Sequence, residues 1–145
     1  MRWMLDTNTC IHVMKDQPPA VQQRLRRVPV GEVAISAIVL AELRFGVRKS
    51  LRREQSAAAL DDFLRYCLVL DWPQEAADLY AEIRADLEGR GTPIGPNDLL
   101  IAAHARWLEA TLVTSNVGEL GRVPGLRLED WRSQAPNSSC PFRQA

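Results

Sequence analysis

The chain has 145 residues, 46% of them hydrophobic and 25% charged, and its 18 basic and 18 acidic side chains cancel to a formal net charge of zero. That length supports one core without staples, and the composition excludes a disordered or collagen-like chain. No apolar run approaches the ~20 residues of a membrane span, and Asp6 interrupts the start where a signal peptide would stay apolar, so a cytoplasmic protein with no membrane contact is expected.

Trp3-Met4-Leu5 is a short apolar run ending at Asp6, and Val33-Ala34-Ile35-Ser36 is a second; both read as buried strands. Between them Pro19 opens a helix through Leu25, proline standing where a first helical turn tolerates it. After the second strand, one row of Ile38, Ala41 and Phe45 and another of Leu40, Leu43 and Val47 predict a helix with a wide apolar face, Glu42 inside the pattern. Arg52 to Tyr66 is helical on the same grounds, and Leu68-Val69-Leu70 is a third strand.

Gln74 to Glu88 reads as an amphipathic helix stopped by Gly89-Arg90-Gly91. Pro96 starts another, running through Trp107, and Thr111-Leu112-Val113 is a fourth strand. A weak fifth strand around Leu126-Arg127-Leu128 precedes Trp131. Strands alternating with helices of this length predict an α/β fold, a three-layer α/β/α sandwich with a mostly parallel central sheet. Residues 1–132 form the expected domain, and 133–145, rich in Ser, Pro, Asn and Gln, the poorly ordered tail. Cys10, Cys67 and Cys140 are odd in number and widely spaced, so they read as free thiols.

Between Val21 and Arg53 eight basic residues stand against two acids, a stretch that suits a phosphate backbone and equally suits the solvated faces of ordinary helices. The acids are more informative. Asp6 falls at the carboxyl end of the first strand, where open α/β sheets bind ligands, although a helix cap explains it too. Glu42 lies close to the buried side of its helix, where it either meets a cation or, at the border of the apolar face, pairs with an arginine such as Arg48 or reaches water. Asp98, in Ile94-Gly95-Pro96-Asn97-Asp98, occupies a first helical turn whose dipole and amides hold a carboxylate ionised. Three acids at element ends in one sheet make the oxygen-rich site a hard divalent cation requires.

Met4-Leu5-Asp6-Thr7-Asn8-Thr9, Ile35 to Leu43, Pro93 to Ala102 and Leu112-Val113-Thr114-Ser115-Asn116 resemble, in order and spacing, the successive blocks of PIN-domain toxins of the VapC type. The likeness runs from Met1 to about Trp131 and extends to the VapC group that cuts initiator tRNA in its anticodon loop. It implies a Mg2+-dependent endoribonuclease, with Mn2+ as substitute, in which water activated by the metal hydrolyses the phosphodiester. It further implies Asp6 and Asp98 as metal ligands, Glu42 as third acid and candidate general base, and Thr114 as the hydroxyl that orients Asp6. A VapB-type antitoxin of a type II toxin–antitoxin pair and a homodimer are the implied partners. The chain departs from many PIN domains at Asn116, where a fourth acid is usual; Glu119, one turn on, is the substitute or else a solvated glutamate.

Two other enzymes fit poorly. A metal-free ribonuclease needs a histidine pair, whereas His12 and His104 read as satisfied structural histidines, and an aspartyl phosphatase needs an acid where Asn8 stands. The remaining alternative is a catalytically weak PIN scaffold acting as an RNA- or protein-binding module, which Asn116 and the neutral charge favour and the three acids oppose.

Overall fold

A computed structural model describes residues 1–133; Cys140 and all of the expected tail beyond Ser133 lie outside the described residues. The order is β1 (Trp3–Leu5), α1 (Thr7–Lys15), α2 (Pro19–Arg27), β2 (Val33–Ser36), α3 (Ala37–Lys49), α4 (Arg53–Phe63), β3 (Leu68–Leu70), α5 (Ala77–Gly89), α6 (Pro96–Leu108), β4 (Thr111–Val113), α7 (Val117–Leu120) and β5 (Leu128–Glu129).

The five strands form one all-parallel sheet in the order β3-β2-β1-β4-β5. Trp3 pairs with Val33 on one side and Thr111 on the other, which puts β1 at the centre. The chain therefore winds outward from β1 to β3, returns to the other side of β1, and winds outward again. The reversal lies between β1 and β4, the topological switch point at which the loops diverge and leave a crevice beyond the carboxyl ends.

β1 and β2 are buried along their whole length, as strands covered on both faces must be. Met4, Leu5, Ile35 and Leu112 are fully shielded from solvent, each stabilising the fold by about 1.5–3 kcal/mol. Helices α1, α2 and α4 pack together, α5 packs on α6, and α3 touches α1, α4 and α6, giving the α/β/α layers. At the sheet's edge β3 leaves Leu68 and Val69 about two-fifths exposed. Among the described residues no helix is long and apolar enough to cross a membrane.

Four expectations need correction. The segment after Asp6, given no helix of its own in the chain-order reading although Asp6 read as a possible helix cap, is α1, and Asp6 is its N-cap, accepting from the amide of Thr9. The last strand is Leu128–Glu129, two residues later than the apolar pattern suggested. On α3 only Val39 and Leu43 are buried, while Ala41 and Phe45 face solvent, so its apolar face is narrower than the spacing implied. His104 is buried, but its Nδ1 has no hydrogen-bond partner among the described residues, so it is not satisfied; His12 meets the carbonyl of Gln17 at 3.0 Å. Cys10 and Cys67 are buried free thiols, and burial pushes both up, Cys67 to about 11, which leaves them unreactive.

Candidate active site at the switch point

Asp6 leaves β1 with its amide still in the sheet ladder, donating to the carbonyl of Val113 at 3.1 Å. Its side chain is 4% exposed, and one carboxylate oxygen accepts the Thr9 amide at 2.9 Å. The Thr9 hydroxyl in turn donates to the Val113 carbonyl at 2.9 Å, tying the first turn of α1 to the end of β4. The residue that caps the helix is thus also held rigidly over the crevice, so the two sequence readings of Asp6 are both true of it.

Glu42 projects from the second turn of α3. The Thr7 hydroxyl donates to one of its oxygens, and Asn97 Nδ2 donates to the other at 2.9 Å. No arginine pairs with it among the described residues, and Arg48 lies further along the helix. Thr7 and Asn97 were not singled out from the sequence. They flank Asp6 and Asp98 by one residue, and nothing in that adjacency says that both converge on Glu42.

Asp98 sits in the first turn of α6, where the expectation was that helix dipole and amides favour its charge. The neighbours win instead. Burial, a hydrogen bond and repulsion from Glu119, and the charges of Asp6 and Glu42 push the Asp98 carboxyl from the ordinary 3.8 up to about 6. Glu119, on the short α7, also accepts the Gly95 amide at 3.3 Å, so it is seated beside Asp98 rather than in bulk solvent.

Thr114 is buried, and its hydroxyl accepts the Asn116 amide at 2.9 Å. Among the described residues it makes no hydrogen bond to Asp6, whose carboxylate accepts the Thr9 amide. Asn116 begins α7 without using its carboxamide as a cap. The site therefore brings Asp6, Glu42 and Glu119 close enough to Asp98 to act on its carboxyl.

Among the described residues no three of these acids close into a compact cage for an ion. Any ion held here would therefore rest on one or two carboxylates and complete its shell with waters or phosphate oxygens, a coordination that Mg2+ accepts. The Asp98 shift is the complementary sign, because carboxylates that repel one another are relieved by a cation.

The PIN domain model matches residues 3–126. The chain is 44% identical to "Ribonuclease VapC2" of Rickettsia felis, covering 90% of this chain and 98% of that one. It is 41% identical, with the same coverage, to "tRNA(fMet)-specific endonuclease VapC" of Salmonella typhimurium. Among solved structures it superposes on VapBC2 from Rickettsia felis bound to a promoter DNA fragment with a TM-score of 0.85 at 42% identity, covering 90% of this chain and 99% of that chain. DNA-bound VapBC from Salmonella typhimurium gives 0.84 at 41% identity, covering 90% and 98%. With an α/β sheet whose acids gather at the switch point, the chain belongs to the PIN-domain family and, within it, to the VapC ribonucleases.

Proposed function

We propose that residues 1–132 form a Mg2+-dependent endoribonuclease, with Mn2+ as substitute, that acts as the toxin of a type II toxin–antitoxin pair and cuts a tRNA, the anticodon loop of initiator tRNA first. The observation that carries the reading is the gathering of Glu119, Asp6 and Glu42 around the partly buried Asp98, whose carboxyl is pushed up to about 6 by burial first and then by these neighbours. Such mutual repulsion costs stability and is kept where a cation offsets it. The relative named for tRNA(fMet) supports the substrate, and the VapBC complexes support a VapB-type antitoxin whose basic side chain would probe the acids. A cytoplasmic homodimer completes the proposal.

Asp6 and Asp98 would hold the ion, with Glu119 beside Asp98 supplying the charge that Asn116 lacks. A bound Mg2+ supplies positive charge for the phosphate oxygens and acidifies water. Thr7 and Asn97 each occupy one lone pair on the two Glu42 oxygens, leaving the others free and aimed by the same two bonds. Glu42 is thereby positioned to orient the attacking water and take its proton. Asp98 is largely protonated below about pH 6 and gives up that proton above it, so ion binding competes with protons across this range.

Incubating the protein with initiator and elongator tRNA transcripts tests the reading. Cleavage of the initiator in Mg2+, lost in EDTA and in Asp6→Asn, is expected. Cleavage that survives either change refutes the metal site, and binding without cleavage in Mg2+ favours the scaffold reading.

A further inference from the structure

Glu42, Phe45 and Lys49 recur at three- and four-residue spacing on α3 and so share one side of it, while Ile38 at its start is partly buried against the core. The core-facing side is different, carrying Val39 and Leu43, and Arg44 turns toward α4, 3.8 Å from Asp61. Phe45 is 62% exposed, a large aromatic ring left in water one turn from the acid cluster. The Lys49 ammonium stands 5.1 Å from the centre of that ring. Gly46 leaves the lane beside them open, with nothing within 4 Å of an added Cβ.

Beyond Lys49 the turn into α4 carries Arg52 and Arg53, with Leu51 fully exposed and the Arg53 Nε donating to the Arg48 carbonyl at 3.1 Å. No acid stands between Glu42 and Glu54 in the chain. Among the described residues Arg48, Lys49, Arg52 and Arg53 form no ion pair. Within the basic stretch Arg24 is held by Glu129 at 3.2 Å and lies over Trp131, and Arg44 reaches Asp61, whereas the cations of the α3–α4 turn, like Arg26 and Arg27 on α2, form no ion pair among the described residues.

We propose that this side of α3 is the track of the RNA strand flanking the cut, one base stacking on Phe45 and the phosphates beyond it meeting Lys49 and the α3–α4 turn. The inference rests on the ribonuclease reading and names the part of the site that holds substrate. Phe45 lies about 4.5 Å and Lys49 about 10 Å along the axis from Glu42, a span of a few nucleotides. An acid-lined site repels a polyanion, so the cations that retain it must lie just outside, as these do. A second copy of the chain is the rival occupant, since an antiparallel symmetric pairing sets this cationic turn against the Glu42 end of the other α3, and sedimentation separates the two.

The test is binding of a short fluorescein-labelled oligouridylate in EDTA, where cleavage is stopped, at several salt concentrations. Phe45→Ala should weaken binding about tenfold or more with an unchanged salt slope, and Phe45→Trp should restore it, because stacking is not a counterion effect. Lys49→Ala should flatten the log–log salt slope by about 0.7. Unchanged affinity in Phe45→Ala, or no binding by the wild type, overturns the track. Sedimentation showing that Phe45→Ala turns dimers into monomers with RNA affinity intact assigns the face to a second copy and also overturns it. The function stands or falls separately, on the loss of tRNA cleavage in Asp6→Asn.

Discussion

Replacing Asp98 by asparagine should stabilise the metal-free protein while removing its response to metal. The carboxyl is raised from 3.8 to about 6, a difference equivalent to about 3 kcal/mol between protonation states. Asp98 is only partly shielded, so solvent screening reduces this to about 1–2 kcal/mol. The sign follows from linkage: an acid whose folded value is raised contributes stability below 3.8, and that contribution is lost as pH rises toward 6. Asparagine keeps the shape and can donate to Glu119 without any charge. In EDTA the variant should melt about 2–8 °C above wild type at pH 7.5, and the gap should close near pH 4. Adding Mg2+ should raise the wild type and leave the variant nearly unmoved. Equal melting of the two at pH 7.5 in EDTA would show that the acids do not repel one another and would remove the main support for the ion site.

Asn116→Asp should lower the metal-free melting temperature and enlarge the gain from Mn2+ or Mg2+ if residue 116 borders the ion; equal gains in both proteins place it outside the site. Thr7→Val removes one of the two donors that fix Glu42 and should lower kcat about tenfold or more with little change in KM, read from initial rates; an effect on KM alone contradicts a positioning role. His104, buried with an unpartnered Nδ1, is held below its usual value by desolvation, so it contributes stability above about pH 6.5 that is lost as pH falls. His104→Leu should therefore lose less stability than wild type between pH 6.5 and pH 5 in denaturant melts, and parallel losses would contradict the buried-histidine account.

The sheet was legible because β1 and β2 are short, buried apolar runs that end at capping residues, Asp6 after the first and Ser36 closing the second, a pattern that packing on both faces leaves little freedom to alter. Helix α1 was legible only through the cap reading of Asp6, because its buried apolar contacts, Cys10 and Val13, lie one turn apart in a weakly apolar segment. The breadth of α3's apolar face was misread for a different reason: spacing shows which residues share a side, and only tertiary packing decides which side is covered. At the site the acids were visible as element-end residues. Their partners were not, since Thr7 to Glu42 and Asn97 to Glu42 span 35 and 55 residues and depend on how the loops meet beyond the sheet.

The central claim is hydrolysis by water at a site of four carboxylates, rather than attack by the ribose 2'-hydroxyl. Product ends report the nucleophile directly. After brief incubation with initiator tRNA and Mg2+, the new fragments should carry 5'-phosphate and 3'-hydroxyl groups, so that the downstream piece is ligatable without kinase treatment. Fragments ending in 2',3'-cyclic phosphate with free 5'-hydroxyls would contradict the account, whichever residues proved essential.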